Sequence, residues 1–159
     1  MFLTPKVVEL AKRFSGMGVQ EISIADTIGL GNPRQVKQMS ARLQHELSDV
    51  RFSLHIHNTR GLGFANVLAG FSEGIDIFDA SIGGLGGCPV VSSATGNIPT
   101  EDLVNMCDEM GIETGVDVDK VMEASRLMQS FLNRRLPSHV LWSGTTSQVF
   151  KQAYDAIQH

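Results

Sequence analysis

Two cysteines in 159 residues, Cys88 and Cys107, are too few for a disulfide framework and lack the spacing of a zinc site. No apolar run reaches the roughly 20 residues that a membrane helix needs, and no basic-then-apolar signal sequence opens the chain. Positive charge is sparse: 13 lysines and arginines against 17 aspartates and glutamates leave a net charge of −4. The cations are scattered, and the Arg134-Arg135 pair is too small a patch to neutralise a phosphate backbone, so a nucleic-acid binder is excluded. Internal repeats, low-complexity tracts and linkers are missing as well. What remains is a soluble, intracellular globular chain with free thiols, whose 42% apolar content suffices for one real core.

Against those absences, one stretch is rich in chemistry. In Phe52-Ser53-Leu54-His55-Ile56-His57 apolar and polar residues alternate with period two, the mark of a β-strand. His55 and His57, at i and i+2, therefore project from one face and offer two imidazoles to one divalent metal. The strand ends in Asn58-Thr59-Arg60-Gly61. Some thirty residues on lies Gly83-Gly84-Leu85-Gly86-Gly87-Cys88-Pro89.

Around these segments the pattern alternates between helix and strand. Thr4-Pro5 opens a helix striped by Val7, Val8, Leu10, Ala11 and Phe14. A strand follows over residues 21–26, ending on Asp26, and Asn32-Pro33 caps a helix carrying Val36, Met39, Leu43 and Leu47. The histidine strand (51–57) leads to a helix over 61–73 with Phe64, Leu68 and Phe71 on its inner side. A third strand is expected over 75–80. After the glycine loop, Pro99-Thr100-Glu101-Asp102 starts a helix bearing Leu103, Met106, Cys107 and Met110. Asp117 or Asp119 starts another, with Val118, Val121, Met122, Ser125, Met128 and Leu132 inward. A last amphipathic piece, 147–157, is expected to bury Val149, Phe150, Ala153 and Tyr154.

Successive βα units imply an α/β fold with a parallel sheet and right-handed crossovers. A (β/α)8 barrel needs eight strands and about 250 residues, and three strands are visible. The expectation is a partial (β/α)8 TIM barrel, its last three strands plus C-terminal helices, with 1–139 as the barrel part and 140–159 as a helical tail.

Asp26, His55 and His57 stand at strand C-terminal ends, where such folds build their sites, and Asn97 offers a carbonyl oxygen across the loop. Imidazoles with oxygen donors and water suit six-coordinate Mg2+ or Mn2+ better than tetrahedral zinc. Asn97 in Gly96-Asn97 also reads as a turn residue tolerating left-handed dihedrals, and Asp26 as a base, an orienting carboxylate or a turn cap. Cys88, set between glycines and a proline, reads as a thiol on a closing lid or as an incidental residue of a tight loop. Cys107, on an apolar helical face, reads as core packing.

Taken together, these residues resemble the hydroxymethylglutaryl-CoA lyase family, metal-dependent lyases on a TIM barrel. Asp26-Thr27-Ile28-Gly29 is similar to the end of that family's sixth strand, His55-Ile56-His57 to its paired metal histidines on the seventh, and Gly84-Leu85-Gly86-Gly87-Cys88-Pro89 to its catalytic cysteine loop after the eighth. The likeness runs from about Pro5 to about Pro137. It implies retro-Claisen cleavage of a 3-hydroxy-3-methylglutaryl-CoA-like thioester to acetyl-CoA and a 3-oxo acid. His55, His57 and Asn97 would bind the metal. Cys88, His55 and Asp26 would be catalytic, with Gly86, Gly87 and Arg60 at the substrate. Two departures stand out: nothing here supplies the arginine and aspartate of the family's first strand, and Asn58-Thr59-Arg60-Gly61 replaces the usual Asp-Thr-Tyr-Gly. Arg60 would favour an extra carboxylate or phosphate, or be a solvated arginine. The chain alone is expected to be inactive unless a missing N-terminal barrel segment or a homo-oligomer completes it. Acyl-CoA is the expected partner, and cytoplasm, or the mitochondrion in a eukaryote, the expected location. Two other readings compete, a non-catalytic α/β partner module and a related acyl-CoA condensing synthase.

Overall fold

A computed structural model describes residues 4–87 and 96–158. It divides into two compact units, residues 1–80 with 86–98, and residues 81–85 with 99–159. The first unit holds helices α1 (Thr4–Gly16), α2 (Pro33–Glu46) and α3 (Gly63–Phe71) and strands β1 (Glu21–Asp26), β2 (Arg51–Ile56) and β3 (Ile77–Asp79). The second holds a 3-10 turn (Ile82–Gly84) and helices α4 (Thr100–Glu109), α5 (Val118–Leu132), α6 (Val140–Ser143) and α7 (Thr146–Ile157). Among the described residues no helix is long and apolar enough to cross a membrane.

The three strands pair in the order β1-β2-β3, all parallel, with β2 central. Alternation along β2 sends Phe52, Leu54 and Ile56 into a core shared with Val8 and Ala11 of α1, Val36, Met39 and Leu43 of α2 and Val67 of α3; all are at most 2% exposed. Helix α2 starts where sequence placed it, because Asn32 forms a capping box with Gln35 and Pro33 follows at the first turn. Lys12 and Arg42 both pair with Glu46, fastening α1 to α2. These two cations hold the Glu46 carboxyl at about 2, well below its usual value.

Helix α3 differs from expectation. Leu68 and Phe71 are 40% exposed, while Asn66, Val67, Ala69 and Gly70 are buried. The reason is a close approach to the sheet: a Cβ at Gly70 would overlap the Leu54 side chain. The helix turns its small residues to β2 and leaves the bulky ones at the margin.

In the second unit Met122, Leu136, Val140 and Leu141 form the core, with Leu85, Val118 and Met128 against it. Two buried carboxylates organise the backbone there. The N–H of Gly83 lies 3.0–3.1 Å from both oxygens of Glu101, which is fully buried. Asp102 accepts from the Ser138 hydroxyl and from the N–H groups of His139 and Val140 at 2.8–2.9 Å, so it caps the short α6. Burial is tolerable because these oxygens are satisfied by fixed donors. Cys107 is half-buried, and desolvation pushes its thiol above the usual range. Helix α7 begins at a Thr145–Gln148 capping box, but it buries none of its residues, and Val149, Phe150 and Tyr154 are 47%, 71% and 64% exposed. The amphipathic stripe that sequence assigned to a core is present. Its expected burial is not, because no described element covers it.

Gly70→Val should destabilise the first unit by about 1–3 kcal/mol through overpacking against Leu54. The measurement is the urea midpoint, which should fall at unchanged slope.

Candidate active site

The face of β2 opposite the core carries Ser53 and His55, and the chain places His57 two residues further on the same side. In the parallel register His55 lies beside Ala25 of β1 and Asp79 of β3. The two imidazoles approach with Nε2 atoms 3.2 Å apart and ring centroids 5.2 Å apart. His57 is buried at 4% exposure, whereas His55 is half-buried. Asp79 Oδ2 stands 3.3 Å from Nδ1 of His55 and also receives the Ser23 hydroxyl at 3.5 Å. A carboxylate at Nδ1 selects the tautomer with the proton there, which leaves the Nε2 lone pair directed at His57.

That arrangement fits a divalent cation. Metal–imidazole bonds of about 2.0–2.1 Å put two adjacent donors about 3 Å apart, close to the separation of the two Nε2 atoms. His57 forms an antiparallel bridge with Asn97, and Asn58 N–H donates to the Gly96 carbonyl at 3.2 Å, which brings the Gly96-Asn97 segment alongside the histidines. Among the described residues no group of three or more His, Cys, Asp or Glu side chains is placed to hold a metal ion. The donor set is two imidazoles with an amide neighbour, an open site whose remaining positions need other ligands.

The rim loops are built by side chains bonding to backbone. Asp26 is buried, and its two oxygens accept from Leu30 N–H at 3.0 Å and Gly31 N–H at 2.9 Å. Its register partner is Ile56, which alternation puts on the other face from His55, and its carboxylate serves the 27–31 turn. Arg60 Nη1 donates to the carbonyls of Ile28 at 2.8 Å and Gly29 at 3.2 Å. Asn66, 1% exposed, donates to the Gly31 carbonyl. Asn58 Oδ1 accepts from Gly63 N–H at 2.9 Å, which fixes the start of α3.

Gly86, at φ +125°, abuts Asn97; a Cβ there would lie 2.5 Å from Nδ2. Gly87 is exposed. Cys88 lies outside the described residues. Asp79 was missed by sequence reasoning, although it closes the third strand as Asp26 closes the first. The end-of-strand rule applied to Ile77-Phe78-Asp79 points to it. Asn66 gave no comparable signal, because only packing reveals a buried amide on a helix.

Fold and site thus define a class: parallel βα units with a paired-histidine rim suited to a divalent metal. Comparison with known proteins narrows it. The family model described as HMGL-like matches residues 4–128. Cytoplasmic 3-hydroxy-3-methylglutaryl-CoA lyase of Mus musculus is 43% identical over 139 residues, which cover 87% of this chain and 40% of that protein. Mitochondrial hydroxymethylglutaryl-CoA lyase of Gallus gallus is 43% identical over 135 residues, covering 85% of this chain and 45% of that one. The solved structure of an HMG-CoA lyase from Acinetobacter baumannii, in complex with coenzyme A and 3-methylmalate, superimposes with a TM-score of 0.85 at 44% identity, over 89% of this chain and 47% of that one. The chain belongs to the HMGL-like family, that of the hydroxymethylglutaryl-CoA lyases. It spans somewhat less than half the length of these relatives.

If Asp79 sets the tautomer, Asp79→Ala should move the His55 proton from Nδ1 toward Nε2. Long-range 1H–15N correlation of the imidazoles at neutral-histidine pH reads this directly, and an unchanged tautomer would dismiss the role.

Proposed function

We propose that this chain is the C-terminal part of a (β/α)8 barrel lyase that cleaves a 3-hydroxy-3-methylglutaryl-CoA-like thioester to acetyl-CoA and a 3-oxo acid. The observation that carries the proposal is the His55–His57 pair, Nε2 to Nε2 3.2 Å, at the end of a parallel strand in a chain 43% identical to such lyases. The barrel reading draws support from the sheet. One face of β2 packs on helices, and the other is lined by Ser23, Ser53, His55 and Asp79, polar groups that a closed barrel would turn inward. Strands β1 and β3 are edges among the described residues, and edges seek partners. A missing barrel segment or a second copy of the chain would cover them, and the chain alone would bind metal without turnover. By analogy with its relatives, the protein works in the cytoplasm, or in the mitochondrion of a eukaryote.

His55, His57 and the Asn97 amide oxygen would hold Mg2+ or Mn2+, which when bound supplies Lewis acidity toward the substrate's oxygens. The tertiary hydroxyl loses its proton to a rim base, and the carbinol carbon becomes a ketone as its bond to the thioester α-carbon breaks. The electron pair passes to the enolate of acetyl-CoA, which takes a proton at carbon. His55 takes part in the first proton transfer through its Nδ1 side, with the Asp79 carboxylate, 3.3 Å from Nδ1, as the group that takes up the proton. Asp26 is the rim carboxylate that keeps the 27–31 turn in place. Cys88 acts as the acid from a loop whose stem, Gly86 and Gly87, contacts the substrate. Arg60 has N–H groups beyond Nη1 to offer the substrate's free carboxylate.

Mn2+ titration followed by electron paramagnetic resonance should show binding that His57→Ala weakens at least about tenfold. Equal binding by the variant would remove the metal assignment. In the completed barrel, Cys88→Ala should lower kcat by about 10²–10⁴ with little effect on thioester binding.

Burial raises the Cys107 thiol, so less of it is thiolate at any given pH, and alkylation of Cys107 should set in at more alkaline pH in the folded chain than in the urea-unfolded chain. Peptide mapping after iodoacetamide treatment across a pH series gives the answer.

A further inference from the structure

We infer that the turn over residues 27–31 is a buttress that fixes where His57 stands, with Gly29 and Arg60 as its positioning residues. Strand β2 ends at Ile56, and its ladder with β1 ends at the Asp26–Ile56 pair. His57 is therefore the first residue past the paired strand. It bridges Asn97, and the next N–H, that of Asn58, donates to the Gly96 carbonyl. Where β1 stops, the turn that follows it stands against His57 instead. A Cβ at Gly29 would lie 3.2 Å from the His57 carbonyl oxygen and 2.9 Å from Cβ of Thr59. Gly29 also holds φ +61°, so glycine is the residue that lets two backbones approach this closely in that conformation.

Arg60 closes the contact from the histidine side. Gly61 N–H donates to the Asn58 carbonyl at 3.0 Å, a tight turn, and from it Arg60 Nη1 reaches the carbonyls of Ile28 and Gly29 at 2.8 and 3.2 Å. Other bonds give the 27–31 turn its shape. Gly29 N–H donates to the Asp26 carbonyl at 3.1 Å, Leu30 and Gly31 N–H donate to the Asp26 carboxylate, and Asn66 donates to the Gly31 carbonyl. Arg60 joins that shaped turn to the segment that carries His57. Two imidazoles serve one cation only when each donor is held within about 0.5 Å of its place. The ladder does this for His55, which lies in register with Ala25 and Asp79; beyond the ladder the turn does it for His57. The inference rests on the reading of the two histidines as a metal pair, and it gives Arg60 a task separate from any contact with substrate. The sign of the effect is diagnostic. Arg60 is a cation close in the chain to a ligand, so by charge alone its removal would tighten the binding of a second cation. Loss of the tie would weaken it.

Mn2+ titration of the chain without substrate, followed by electron paramagnetic resonance, tests the inference beside long-range 1H–15N correlation of the metal-free imidazoles. Arg60 is exposed, and Arg60→Gln, which removes the fork and adds no bulk, should weaken Mn2+ binding about tenfold. Arg60→Lys, which keeps a charged donor, should recover part of that loss. Gly29→Ala should weaken binding at least as much as Arg60→Gln, and Arg60→Gln carries the test if Gly29→Ala fails to fold. In the metal-free chain both changes should displace the His57 resonances and leave those of His139 in place. Val8→Ala, a core truncation on α1, is the control: its urea midpoint should fall while its Mn2+ affinity holds. Unchanged or tighter binding by Arg60→Gln, or an equal loss in Val8→Ala, would overturn the inference. If the parent chain binds no Mn2+, the metal reading fails and the metal-free spectra decide alone. Displaced His57 resonances then uphold the buttress, and unmoved ones overturn it.

Discussion

The first unit depends on the register in which β2 is held between β1 and β3. Period-two alternation makes that register all-or-none: a slip by one residue would put His55 on the helices and Leu54 on the open face. Core burial of Phe52, Leu54 and Ile56 opposes the slip, and Gly70 packed onto Leu54 leaves α3 one depth at which to dock. The geometry of the histidine pair is therefore a by-product of core packing. The same register that hides three apolar side chains sets two imidazoles on one side, with Asp79 beside the first of them.

Polar side chains do a second job in both units, that of fixing irregular backbone. Asp26, Arg60 and Asn66 satisfy donors and acceptors of the 27–31 turn. Glu101 and Asp102 do the same for Gly83 and for the start of α6. Loops that must hold a defined shape near chemistry cannot rely on ladder hydrogen bonds, so buried side-chain oxygens and amides replace them. This explains why a carboxylate at a strand end is an ambiguous signal. Asp26 and Asp79 both close strands, yet the first bonds its own loop and the second faces a histidine.

Charge follows a related logic. Arg126, Arg134 and Arg135 are too dispersed in sequence to form a basic motif. One helix terminus and a left-handed Asn133 bring them to the lining of one cleft, where Arg135 lies over the Trp142 indole. Separation along the chain says little about separation in space once a helix ends and the backbone turns back.

By itself, the sequence determined the βα alternation, the parallel sheet, the capped start of α2, the shared side of His55 and His57, and the likeness of residues 5–137 to a lyase family. All of these rest on local periodicity or on motifs contiguous in the chain. Tertiary structure alone decided which face α3 buries, because backbone approach at Gly70 outweighs side-chain hydrophobicity. It alone left the stripe of α7 uncovered, since an apolar pattern announces a need for a partner and does not supply one. The pairing of Asp79 with His55, the carbonyl bonds of Arg60 and the gathering of three arginines were likewise its work. Each depends on the distance between residues remote in sequence, and no local rule encodes that distance.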